Sequence, residues 1–185
     1  MPKVLMPIGD ATEVLDTMYP YFRLPEDGFE VVVAGPEARL YHMVQHEIPP
    51  GWDITQETAG YHLQATAAFR DLDGGEFAGL FLSGGRAPEY LRYNTDLIRL
   101  VKHFFEHSKP VAAICHGMHV LPCPDSIRCR RIPPVSKATL NAAPRCATYL
   151  DEPVVIDGNL VTSRVWQDNT HFVKAFIDLL HTSAS

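Results

Sequence analysis

The sequence predicts an α/β fold, a doubly wound and mainly parallel sheet sandwiched by helices, with one sharp strand-to-helix turn of the nucleophile-elbow kind. Three observations carry that expectation. Apolar runs of strand length alternate along the chain with longer stretches whose apolar residues recur three and four apart. Two runs, Phe77–Leu82 and Val111–Ile114, are apolar throughout, as strands covered on both faces are. The second stops abruptly at Cys115-His116-Gly117.

The elements follow in order. Val4-Leu5-Met6-Pro7-Ile8 is a short strand closed by Gly9-Asp10. Glu13 through Leu24 carries Val14, Leu15, Met18, Tyr21 and Phe22 at helical spacing, with Thr12 as the cap and Glu13 in the first turn, where the dipole favours a carboxylate. Phe29 to Ala34 is a second strand, ended by Gly35-Pro36. From Glu37 to Phe69 the pattern loosens, and Tyr41–Val44 and Tyr61–Ala65 read as short strands around Pro49-Pro50-Gly51, an excursion from the main sheet. Phe77–Leu82 returns to the sheet and meets Ser83-Gly84-Gly85. A helix from about Asn94 to His107 follows, burying Leu97, Leu100, Val101, Phe104 and Phe105. Past the strand ending at Cys115, a helix through Met118–Leu121 is cut short by Pro122 and Pro124, and Cys123 to Arg145 reads as short elements and loops. Cys146–Leu150 and Val154–Ile156 are strands. The latter turns at Asp157-Gly158 and pairs back through Leu160-Val161-Thr162. Asn169 to His181 closes the chain as a helix with Phe172, Phe176, Ile177 and Leu180 inward.

Composition narrows the function classes. The 185 residues suit a single domain over the whole chain, enough to bury about 70% of the unfolded surface. No apolar run approaches the roughly 18 residues of a membrane span, and Met1-Pro2-Lys3-Val4 enters a strand with no secretion leader, so a cytoplasmic location is expected. Net charge is −6, and basic residues are scattered apart from Arg128, Arg130 and Arg131, which argues against nucleic acid as a partner. None of the four cysteines (Cys115, Cys123, Cys129, Cys146) forms a C-x-x-C pair. Free thiols are therefore expected, with no metal and no cofactor.

The chemistry is expected where strands end. Gly9-Asp10, Ser83-Gly84-Gly85 and Cys115-His116 all fall at carboxyl ends of parallel strands, where such sheets place their ligands, so three loops should converge on one crevice. Ala113 and Gly117 stand two positions either side of Cys115, making the segment a cysteine counterpart of the G-x-S-x-G elbow. The following helix would aim free N–H groups and its positive end at the sulfur, lowering its pKa so that thiolate is available near neutral pH. His116 would support it as cation or base.

With these elements placed, the sequence resembles the ThiJ/PfpI superfamily, on the flavodoxin-like fold of class I glutamine amidotransferase-like domains. The matching stretches are Glu13–Leu24 with Tyr19-Pro20-Tyr21, Ser83-Gly84-Gly85-Arg86-Ala87-Pro88-Glu89-Tyr90-Leu91, Lys109–Gly117 and Asp157–Ser163. The nearest branch looks like the PfpI-type intracellular proteases and glyoxalase III-like proteins. The resemblance implies that Cys115 is the nucleophile, that Glu13 hydrogen-bonds its sulfur, and that His116 is the paired base. It also implies that Glu89 contacts that histidine from a neighbouring subunit of a dimer or hexamer, and that the N–H groups of Gly85 and His116 form the oxyanion site. The chain departs from the family at Met118, where proline is common, at Pro122 and Pro124, and at Ile132-Pro133-Pro134, where a tyrosine loop is shortened.

An activated cysteine of this kind attacks carbonyl carbon. With methylglyoxal, a hemithioacetal followed by proton transfer between carbons yields lactate. With an amide or peptide, an acyl-enzyme forms and water hydrolyses it, the protease or amidase reading. The alternative is non-enzymatic: an oxidative-stress sensor or chaperone acting through oxidation of the same sulfur. Among other polar residues, Gly84, His119 and Trp166 are candidate pocket residues, Trp166 as a roof. His103 and His107 read as a solvated helix face, His42, His46 and His62 fall in the excursion as candidate interface residues without a strong signal, Arg86 reads as structural, and Asp16 as a helix-surface carboxylate, although an acidic residue is frequent at that place in the family the chain resembles.

Overall fold

The computed structural model describes residues 1–121, 131–133 and 148–183. The chain opens with β1 (Lys3–Pro7) and α1 (Val14–Glu26), followed by β2 (Glu30–Gly35), then β3 (Leu40–Glu47), β4 (Gln56–Gln64) and the short β5 (Ala67–Ala68). After β6 (Phe77–Leu82) come α2 (Ala87–Leu91), α3 (Thr95–Glu106) and β7 (Val111–Ile114). The rest comprises β8 (Arg131–Ile132), β9 (Thr148–Tyr149), β10 (Val154–Asp157), β11 (Leu160–Ser163) and α4 (Asn169–Ser183). A seven-stranded sheet has the order β10-β11-β7-β6-β1-β2-β5, parallel except where edge strand β10 folds back on β11. The predicted α/β architecture is the one observed.

Alternation along each strand sorts the core into two layers. Val4, Met6, Phe81, Ala112 and Ile114 face α1 and α4 and pack with Phe172, Phe176 and Leu180. Leu5, Leu80, Leu82, Val111 and Ala113 face α3 and pack with Leu97, Leu100, Val101 and Phe104. Both faces are covered, which is why these strands read as unbroken apolar runs. β3 and β4 form a separate two-stranded sheet, the excursion expected from the loosened pattern.

Three local expectations are corrected. The cap of α1 is Glu13, whose carboxylate accepts from the Asp16 N–H at 2.6 Å. Thr12 is occupied otherwise: its hydroxyl donates to the Gly9 carbonyl at 2.8 Å and accepts the Gly9 N–H at 3.0 Å. The inward face of α1 is Val14, Asp16, Thr17, Pro20 and Leu24, while Leu15 and Phe22 are 42% and 62% exposed. The start of this helix lies against the carboxyl end of the sheet, so polar side chains point in. Finally, the helix expected beyond Gly117 is a tight 3₁₀ segment, Cys115–Val120, too short to sum a strong dipole. Helix α2 was not expected at all. Of the short elements and loops expected over 123–145, Arg131–Ile132 is seen as β8 and most of the rest, with Cys123, Cys129, Cys146, Pro122 and Pro124, lies outside the described residues; of the strand expected over Cys146–Leu150, Thr148–Tyr149 is seen as β9.

Pro20 also does something inside α1. It has no N–H to give the Asp16 carbonyl four residues back, and the Ser83 hydroxyl donates to that oxygen at 3.4 Å. The missing helix bond thus becomes a link between α1 and the loop after β6.

Candidate active site

Cys115 sits at the tip of β7 with φ +53°, in the left-handed region that non-glycine residues rarely adopt. That bend turns the side chain off the sheet edge, as in a nucleophile elbow. Two backbone N–H groups, those of Gly85 and His116, point at its sulfur. Gly85 reaches this position because its φ is +84°; a Cβ there would press on the Ala11 carbonyl and the Glu13 nitrogen. Its neighbour Gly84 lines no part of the cavity but keeps space behind it. A Cβ on Gly84 would stand 2.5 Å from Asp16 Oδ2 and 3.2 Å from Cys115 Sγ, so the carboxyl and the sulfur meet over one glycine.

Asp16 is the residue the sequence reading misplaced. It is 1% exposed, beneath the sulfur, and accepts the Gly84 N–H. Burial raises its pKa well above 3.8, and the Glu13 charge raises it further, so the fold favours the protonated form of Asp16. Among the described residues its Oδ1 has no hydrogen-bond partner. Glu13, 3% exposed, makes no hydrogen bond to the sulfur among the described residues; it accepts from the N–H groups of Asp16 and His46, with its own pKa raised by burial.

The cysteine departs from expectation too. Burial first, then Asp16, pushes the Cys115 thiol up to about 12, against the lowering supplied by the His116 and Gly85 N–H groups. At rest the group is a thiol rather than the expected thiolate.

His116 Nδ1 lies 3.8 Å from Glu89 Oε1 of the same chain. Burial lowers the His116 pKa, offset in part by Glu89 and the Gly85 carbonyl, leaving a ring disposed to accept a proton at neutral pH. His119 stacks on it at 5.0 Å between centroids and 10° between planes. It stands behind His116 rather than in the cavity, and burial, with the His116 and Arg92 charges, depresses it to about 4.

A cavity of about 580 Å³ opens above the sulfur. It is lined by Glu13, Asp16, Gly85, Glu89, Cys115 and His116, and by Val165 and Trp166. The β3–β4 hairpin contributes His46, Glu47, Ile48 and Thr55, and Arg86 also borders the cavity. Of these, His46 and Arg86 had no site role in the sequence reading, because no periodicity ties a hairpin outside the main sheet to a loop forty residues on. Among the described residues no three His, Cys, Asp or Glu side chains group as a metal site, and no helix is long and apolar enough to cross a membrane.

A doubly wound sheet with a left-handed cysteine at a strand tip, facing two backbone donors, defines a cysteine-elbow α/β domain. The chain belongs to the DJ-1/PfpI family, whose model matches residues 2–179. A deglycase from Pyrococcus abyssi is 35% identical over 181 residues, covering 96% of this chain and 99% of that protein. Among solved structures, a two-domain protein of Anabaena variabilis with DJ-1/ThiJ/PfpI-like and ferritin-like domains is 32% identical, with TM-score 0.77 over 98% of this chain; the chain spans 48% of that protein. Oxidized DJ-1 of Toxoplasma gondii shares the fold with TM-score 0.80 at 20% identity, covering 100% of this chain and 93% of the other.

Proposed function

We propose that this protein is a cofactor-independent cysteine enzyme acting on small 2-oxoaldehydes, free or as adducts, and converting methylglyoxal to lactate. The observation that carries the reading is Cys115, bent off the sheet edge beneath two convergent N–H donors, with His116 and Glu89 beside it on the cavity floor. A relative named as a deglycase supports the same class of carbonyl substrate. A cavity of about 580 Å³ suits a small molecule better than a polypeptide.

The groups present divide the work. The Cys115 thiol gives its proton to His116 as sulfur adds to the aldehyde carbon, forming a C–S bond, and the oxygen is reprotonated to give the hemithioacetal. While the oxygen carries negative charge it faces the N–H groups of Gly85 and His116, each worth about 3 kcal/mol of barrier where such donors are preorganised. His116 then removes hydrogen from C1 and delivers it to C2, giving a lactoyl thioester. Water cleaves that ester to lactate and restores the thiol, so the sum is methylglyoxal plus water. The oxidant-sensor reading is weakened by the same burial, since a thiol held at about 12 contributes little thiolate to react with peroxide.

The test is turnover of methylglyoxal and of a chromogenic amide by wild type and Cys115→Ala. Lactate should form with wild type and fall to background with the variant. Wild-type rates equal to the variant on both substrates would remove the enzyme reading, and amide cleavage alone would replace it with the hydrolase one.

A further inference from the structure

The cavity holds a second histidine backed by a carboxylate. His46 and Glu57 face each other across β3 and β4, and His46 Nε2 lies 3.0 Å from Glu57 Oε2. Glu57 is in turn gripped by Arg86, whose Nε and a terminal nitrogen donate to its two oxygens at 2.6 and 2.7 Å. Two parallel bonds of this kind fix both the angle and the ionisation of the carboxylate; Glu57 is held at about 2, chiefly by Arg86. Arg86 directly follows Gly85, one of the two donors on the sulfur, and its own N–H is tied to the Ala11 carbonyl at 2.9 Å. The hairpin is therefore clamped to the loop that faces Cys115. On the near side, the His46 N–H donates to the Glu13 carboxylate. Because Nε2 is turned to Glu57, Nδ1 is the ring atom left to exchange protons.

We infer that His46, oriented by Glu57 and Arg86, is a second catalytic proton-transfer residue of this cavity, working on the substrate oxygens while His116 works on the carbons. This rests on the 2-oxoaldehyde reading above. A hemithioacetal of methylglyoxal needs two kinds of proton movement at once, and one ring cannot serve both. As His116 takes hydrogen from C1, the C–H electron pair enters the C1–C2 bond and the C2 oxygen requires a proton. His46, its ring oriented through Nε2 by Glu57, gives it from Nδ1. When His116 returns its proton to C2, the C1 hydroxyl becomes the thioester carbonyl and its proton goes back to His46. Both rings end as they began, and no oxidant or reductant is involved. The charged and titratable groups facing this ring are Glu57, Arg86 through Glu57, Glu13, and His116 across the cavity.

The experiment measures kcat and KM for methylglyoxal for wild type, His46→Gln and Glu57→Gln, with the rate of Cys115 alkylation by iodoacetamide in parallel. His46→Gln should lower kcat by about 100-fold, leave KM within about threefold, and leave alkylation within about twofold. Glu57→Gln should lower kcat by a smaller factor with KM again within about threefold, since it loosens the ring without removing it. The inference is overturned if His46→Gln keeps kcat within about threefold, or if alkylation falls in step with kcat, which would mark a packing role. Wild type without turnover would overturn this inference and the proposed function together, whereas an active wild type with an active His46→Gln overturns this inference alone.

Discussion

At the scale of the residue, Asp16 sets much of the character of the site. A carboxyl group sealed beneath the sulfur is cheaper to keep neutral than ionised, because burial strips water from the charge and, among the described residues, no cation pairs with it and its Oδ1 has no hydrogen-bond partner. The consequence for stability has a definite sign. In the unfolded chain Asp16 ionises near pH 4, while in the fold it holds its proton to higher pH, so the native state binds more protons across that window. Stability contributed by this residue is complete below about pH 4 and is lost as pH rises toward the raised pKa. Asp16→Asn keeps the shape and removes the titration. Thermal unfolding of the variant should give a higher Tm than wild type at pH 8 and a flatter dependence between pH 4 and 8; parallel curves for the two proteins would contradict a buried neutral acid. The positive φ of Cys115 belongs at this scale as well, since a left-handed residue persists only where its surroundings hold it.

At the scale of the element, the site depends on how strand ends are fastened. Ser83 fills the carbonyl freed by Pro20, and Arg86 ties the hairpin to the loop after β6. At the opposite end of the sheet, Lys109 fixes the entrance to β7: its ammonium donates to the carbonyls of Gly74, Gly75 and Phe77 at 3.0, 3.2 and 2.8 Å. Burial lowers its pKa, the cost of drawing the ammonium out of water. Lys109→Met retains the stem and strands three carbonyls, so the urea midpoint should fall by the equivalent of about 1–3 kcal/mol. Cys115 alkylation should be unchanged, because this anchor is at the far end of the strand from the elbow. A midpoint equal to wild type would show that water replaces the ammonium without loss.

At the scale of the whole molecule, the resemblance implies a homo-oligomer, and the exposed surface offers a place for one. Ile48, Trp52 and Ile54 at the tip of the β3–β4 hairpin, and Tyr61 on β4, are 54–68% exposed. Apolar groups gathered on one projection commonly mark a contact surface. Ile48 also lines the cavity, so association over the hairpin would border the site. Light scattering should therefore report a mass above that of the monomer, and Trp52→Glu with Ile54→Glu should restore the monomer. A wild type that remains monomeric at every concentration would remove self-association from the account. Since Glu89 reaches His116 within one chain, the double variant should keep its Cys115 alkylation rate.

The sheet was legible in the sequence because strands buried on both faces must be apolar at every position, and Phe77–Leu82 and Val111–Ile114 are. The elbow was legible too, because Ala113 and Gly117 around Cys115 satisfy a local backbone requirement that spacing reveals. The inward turn of Asp16 was not, since helical periodicity favoured the apolar face of α1 and carries no information about what the first turn of that helix meets. The ionisation of Cys115 was not legible for the same kind of reason: local sequence names the donors, but solvent exclusion is the sum of everything packed around the sulfur. His46, Glu57 and Arg86 lie on three separate segments of chain, and pairings across such separations are decided by hydrogen bonds and ions meeting in space. Sequence alone determined the layers, the nucleophile and the loops that surround it; tertiary structure alone decided which charges those loops bury, because burial is a property of the assembled core and not of any stretch within it.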